Sequence, residues 1–104
     1  MHTVSTIQEM VKRIVACCSP QRIILFGSYA RGEAGEDSDV DLLVLFASLD
    51  DRRDIVSRLY DSVNRMDLPK DIVASTVAEY ERYKEVANTI YNAAAEHGVV
   101  VYES

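Results

Sequence analysis

The connection from Gly27 to Ser38 is the tightest constraint in this chain. It separates an apolar, β-branched run, Arg22 to Phe26, from a second run, Asp39 to Phe46, that is apolar on both faces after its opening residues. Each run is too short for a helix and reads as a strand. The connection cannot hold a full crossover helix with its loops, so the two strands are expected to pair antiparallel. That pairing brings the Gly27-Ser28 turn beside Asp39 at one end of the sheet. A strand apolar on both faces belongs at a central position.

The remaining elements follow from periodicity. From Thr6 to Cys18, the residues Ile7, Met10, Val11, Ile14 and Val15 recur at three- and four-residue steps, the buried stripe of an amphipathic helix that Ser19-Pro20 ends. Gly27-Ser28-Tyr29-Ala30-Arg31 is expected to turn off the first strand into a short helix, with Gly32 and Gly35 in a flexible link. Asp50-Asp51 caps a second long helix, residues 51 to 65, whose stripe is Ile55, Val56, Leu59, Tyr60 and Val63. That helix is long enough for a right-handed crossover, which makes the second strand parallel to a third, Asp71 to Ser75. Thr76 with Glu79 forms a capping-box signature for a helical region running to Glu96 and broken near Asn88. Gly98 is a stop, and Val99 to Tyr102 is a closing strand. The expected fold is therefore α/β with a mixed sheet of roughly four strands flanked by helices, one domain over residues 1–104.

Composition sets limits on partners. Over 104 residues the chain is 48% hydrophobic and 27% charged, enough for one compact domain. The formal charge of −6 argues against tracking a nucleic-acid backbone, which calls for a basic face. No apolar stretch suffices to span a bilayer and no leader pattern precedes the first helix, so a cytoplasmic protein is expected. Cys17 and Cys18 have no partner at metal-ligand spacing and read as small packing residues in a reducing compartment. His2, near the terminus, and His97, in a last helical turn, read as exposed and non-catalytic.

The chemistry lies in the acidic residues. Asp39 and Asp41, two apart on a strand, leave the same face with Cα atoms about 6.5 Å apart. Such a pair raises a carboxyl pKa unless a cation neutralises it, and hard oxygen ligands select magnesium or manganese. The glycine of the Gly27-Ser28 turn lets backbone N–H groups approach a phosphate, and the serine adds a hydroxyl. Arg31 either offers a planar fork to the same anion or pairs on the surface with Glu33 or Asp37. Asp71, opening the third strand, stands at the same sheet end as Asp39. Three carboxylates and a phosphate-binding turn facing one cleft suit two-metal phosphoryl chemistry, with Asp71 as ligand or base for the attacking hydroxyl. Tyr29, Tyr60, Tyr80, Tyr83 and Tyr91 read as packing or cap residues.

The segment Ile24-Leu25-Phe26-Gly27-Ser28-Tyr29-Ala30-Arg31-Gly32 through Ser38-Asp39-Val40-Asp41-Leu42-Leu43-Val44 resembles the signature of the DNA polymerase β-like nucleotidyltransferase superfamily, in its minimal nucleotidyltransferase subgroup. Asp71 and the closing Gly98 to Glu103 extend the resemblance over nearly the whole chain. It implies that Gly27 and Ser28 hold the triphosphate of ATP, that Asp39 and Asp41 bind two Mg²⁺ ions, and that Asp71 completes the second metal site. Larger relatives carry a further domain for the acceptor, so here a partner is expected to supply it. Family members of this size typically accompany a HEPN-domain protein in a toxin–antitoxin pair, which implies transfer of AMP to a tyrosine of the HEPN toxin.

Two other readings keep the fold. A non-enzymatic antitoxin would block its partner by occlusion, but it would have no need of three like charges in one cleft. Nucleotidyl transfer to a small molecule or to RNA is disfavoured by the acidic charge and the missing acceptor-binding elements. The sheet's edges leave room for a homo-oligomer.

Overall fold

The computed structural model describes residues 4–104, so His2 lies outside the described residues. The chain order is α1 (Val4–Cys18), β1 (Arg22–Phe26), β2 (Val40–Phe46), α2 (Arg52–Ser62), β3 (Lys70–Thr76), α3 (Val77–Tyr83), α4 (Ile90–His97) and β4 (Val99–Glu103). The sheet order is β3-β2-β1-β4. β1 is antiparallel to β2 and β4, and β2 is parallel to β3. The short connection thus enforces the antiparallel pair, and α2 supplies the crossover, both as the lengths required. Ser19, with φ 49°, turns the chain out of α1, and Asn88, with φ 66°, marks the break between α3 and α4.

Strand alternation divides the core in two. One face sets Ile23, Leu42, Val44 and Ile72 against Met10 and Ile14 of α1 and Leu59 and Val63 of α2. The other sets Ile24, Phe26, Leu43 and Leu45 against Tyr80 of α3 and Ala94 of α4. Each fully buried aliphatic side chain contributes about 2 kcal/mol of transfer free energy. The same alternation assigns Asp41 and Asp71 to the second face, the one that holds Leu43 and Leu45.

β3 is an edge strand, and α2 covers its open backbone. Tyr60 Oη accepts a 2.9 Å hydrogen bond from the Ile72 N–H, and Arg52 Nη1 donates to the Ala74 carbonyl at 3.1 Å. Groups that would otherwise invite another strand are closed by these two side chains. At the far end of β3, Glu79 Oε1 accepts from Ser75 Oγ at 2.8 Å, from Arg52 Nη2 at 2.8 Å and from the Thr76 N–H at 3.2 Å. These donors, the Ser75 hydroxyl foremost and then Arg52, hold the Glu79 carboxyl below its ordinary range. Ser75 is fully buried and its hydroxyl also shares a 2.9 Å hydrogen bond with Tyr91 Oη.

Thr76 closes the expected capping box, accepting from the Glu79 N–H at 3.0 Å. Thr76→Ala leaves a helix N–H orphaned and is expected to lower unfolding free energy by about 1 kcal/mol in denaturant titration. No helix among the described residues is long and apolar enough to cross a membrane. The sulfurs of Cys17 and Cys18 are joined in the structure, where two separate packing thiols were expected.

Candidate active site

The site begins where β1 runs out. Gly27 takes φ 75°, a left-handed conformation that costs glycine little and other residues more. The chain then makes a tight turn, with the Arg31 N–H bonded to the Gly27 carbonyl at 3.2 Å and the Glu33 N–H to the Ser28 carbonyl at 2.9 Å. The short helix expected after Gly27 is not formed. Gly32 returns to φ 73° and ends the segment as a turn. Tyr29 and Ala30 pack against the main core and so fix the turn's position.

The link to β2 folds back on itself. The Gly35 N–H donates to Ser38 Oγ at 2.9 Å, and the Ser38 N–H donates to the Gly35 carbonyl at 3.3 Å. This closure delivers Asp39 to the mouth of β2. Asp39 itself precedes the strand, which begins at Val40, because the Val40 N–H is the group bonded to the Pro69 carbonyl, at 3.0 Å. Asp39 thus stands one residue before the strand and two before Asp41, on which its charge acts.

Asp41 is the centre of the arrangement. In register it is the partner of Phe26 on β1 and of Asp71 on β3. Neighbouring strands lie about 4.8 Å apart, so in-register Asp41 and Asp71 put two carboxylates side by side on one face. On the other flank, a methyl group added at Gly27 would collide with the Asp41 Oδ2 atom and stand 3.1 Å from Cγ. The turn backbone thus lies directly against the carboxylate. Asp39 and Asp71 are exposed and Asp41 is half-buried.

Burial raises the Asp41 carboxyl above its ordinary range, and the charges of Asp71 and Asp39 raise it further, against a smaller opposing effect of Arg31. Like charges that push one another's protonation upward are what a cation relieves. Among the described residues no three His, Cys, Asp or Glu side chains are already gathered for one ion. Magnesium does not require such a cage, since it binds through one or two carboxylates together with substrate phosphates and water. The hard oxygen donors present fit it on those terms.

A stability consequence follows from the sign of this shift. A carboxyl whose folded pKa is raised destabilises the fold when ionised, and the cost vanishes as pH falls below the unfolded value. Metal-free Asp41→Asn is therefore expected to be more stable than the wild type at neutral pH. The difference should close as pH falls from the elevated Asp41 titration into the ordinary carboxylate range. Thermal melts across pH in the presence of chelator measure it, and a difference independent of pH would contradict the electrostatic account.

Arg31 is exposed, and its Nε donates to Glu33 Oε1 at 2.7 Å, the surface pairing left open by the sequence. Tyr60, read from sequence as a packing residue, also reaches the site: its hydroxyl donates to Asp71 Oδ1 at 3.5 Å. An apolar hollow of about 680 Å³ between α1 and β4, lined by Ile7, Val11, Leu25 and Val99, includes no carboxylate and shares no residue with this set.

The nucleotidyltransferase domain family matches residues 4–101 of the chain. A Methanocaldococcus jannaschii protein named "Putative protein adenylyltransferase" is 33% identical over 93 residues, covering 88% of this chain and 89% of that protein. Among solved structures, a toxin–antitoxin with AMP-PNP superposes with a TM-score of 0.61 at 22% identity, over 93% of this chain and 73% of that one. The complex of a tri-AMPylated Shewanella oneidensis HEPN toxin with an MNT antitoxin gives 0.56 at 20% identity, over 97% and 74%. At such identities the structural likeness speaks to the fold.

Proposed function

Because the chain belongs to the nucleotidyltransferase domain family, we propose that it transfers AMP from ATP to a tyrosine hydroxyl of a HEPN-domain toxin and acts as that toxin's antitoxin. The observation that supports this most is the contact of the Gly27 backbone with the Asp41 carboxylate, with Asp71 beside it in register. A phosphate-cradling turn and paired carboxylates are what nucleotidyl transfer needs in one place.

In this reading the Gly27 and Ser28 backbone and the Ser28 hydroxyl receive the triphosphate. Arg31 assists only by exchanging its bond to Glu33 for one to phosphate. Asp39 and Asp41 would hold two Mg²⁺ ions with Asp71 completing the second set. Such ions supply charge neutralisation of the triphosphate and acidification of the acceptor hydroxyl. Asp71 orients the acceptor hydroxyl and takes its proton at the carboxylate. The acceptor oxygen bonds to the α-phosphorus as the bond to the bridging oxygen of the β-phosphate breaks, and pyrophosphate departs. The acceptor protein comes from outside the chain, a role supported by the likeness to an antitoxin seen with an AMPylated HEPN toxin.

Co-expression with the toxin separates catalysis from occlusion. Wild type should restore growth, while Asp39→Asn/Asp41→Asn should fail to do so although it still binds the toxin. Equal rescue by both, with complexes of equal stability, would replace enzymatic neutralisation with simple blocking.

A further inference from the structure

We propose that Tyr60 is a positioning residue for Asp71, an inference that rests on the role given above to that carboxylate. The Tyr60 hydroxyl is oriented by a group that cannot rotate. The Ile72 N–H projects from the free edge of β3 and donates to Tyr60 Oη at 2.9 Å. With one lone pair of the oxygen so occupied, the phenolic proton is directed elsewhere, and the acceptor within reach is Asp71 Oδ1 at 3.5 Å.

The ring is half-buried. Tyr60 packs at the margin of the main core, one residue beyond the fully buried Leu59 that seats α2 on the sheet. The other end of α2 is pinned as well, by Arg52 on the Ala74 carbonyl and on Glu79. A helix anchored at both ends thus places a donor on one oxygen of an exposed carboxylate and leaves the second for the acceptor. Because 3.5 Å is the long limit of a hydrogen bond, the hold is partial and the expected effect moderate.

The test is Tyr60→Phe, which keeps the ring and removes only the hydroxyl. Three-bond couplings of the Asp71 side chain, measured by NMR in the metal-free protein, are expected to report one dominant rotamer in the wild type and averaging in the variant. Transfer kinetics should show kcat lowered about tenfold, the scale of losing a group that orients a ligand, with KM for ATP changed less than about twofold. In an Asp71→Asn background, Tyr60→Phe should add almost nothing to the loss. Unchanged Asp71 couplings, or losses that multiply fully in the double variant, would overturn the proposal. Averaged couplings in a protein whose wild type transfers no nucleotide would keep the positioning role and remove the proposed function instead.

Discussion

Asp41→Asn is expected to lower kcat/KM for nucleotidyl transfer by about 10³-fold while the protein stays folded. The magnitude comes from the chemistry proposed for the site. Charge neutralisation at a transferring phosphoryl group contributes several kcal/mol, and about 4 kcal/mol corresponds to about 10³ in rate. Asp41 is the residue on which this effect converges, being the register partner of Asp71 and the side chain touched by the Gly27 turn. Retention of fold is expected because burial and two neighbouring carboxylates already disfavour the Asp41 charge. The variant should thus separate activity from stability in opposite directions. Single-turnover transfer and thermal melts on the same preparation measure both, and a variant that loses activity only by unfolding would contradict the assignment.

Gly27→Ala should be nearly as damaging, for a steric reason. The residue sits at φ 75°, where a β-carbon costs about 1–3 kcal/mol of backbone strain. The added methyl also meets the Asp41 Oδ2 atom. Either the turn backs away from β2 or the carboxylate rotates out of place, and each outcome separates the proposed phosphate-binding turn from the Asp41 carboxylate proposed to work with it. A displacement of about 1 Å costs on the order of 10² in rate. Gly32→Ala is the internal control: its φ of 73° imposes the same strain, but no atom beyond the adjoining residues lies within 4 Å of the new methyl. Gly27→Ala should therefore lose about 10²-fold in kcat/KM relative to Gly32→Ala, and equal activities would remove the steric argument.

The residues that were legible in the sequence are those whose neighbours are set by connection length. The chain after Gly27 is too short to do anything but reverse, which placed the turn at the Asp39 end of β2, and α2 is long enough to carry Asp71 round to that end in parallel; that Asp41, two residues further on, is the carboxylate the Gly27 turn touches came from the structure. Apolar residues on both faces likewise placed β2 at the centre of the sheet, and Thr76 with Glu79 marked the start of α3 by a purely local exchange of hydrogen bonds.

What escaped the sequence depends on side chains reaching across elements. Tyr60 lies on the apolar stripe of α2, where a tyrosine reads as core, and its hydroxyl partners lie eleven and twelve residues away on another element. Periodicity reports which face of a helix is buried and says nothing of where a phenol tip ends. Arg52 bridging Ala74 and Glu79 was hidden for the same reason. The segment after Gly27 was expected to be helical because glycine and serine resemble a helix start, but Gly32 allows the chain to turn away before a helix can grow.

The central claim, transfer of AMP to a protein hydroxyl by the Asp39, Asp41 and Asp71 set, is tested most directly by intact mass. Purified protein, Mg²⁺ and ATP are incubated with a HEPN-domain toxin as the proposed acceptor, with Asp39→Asn/Asp41→Asn in parallel. The account predicts that the partner gains mass in whole AMP units, on a tyrosine, with wild type alone. An unmodified partner held in an equally tight complex by both proteins would contradict it.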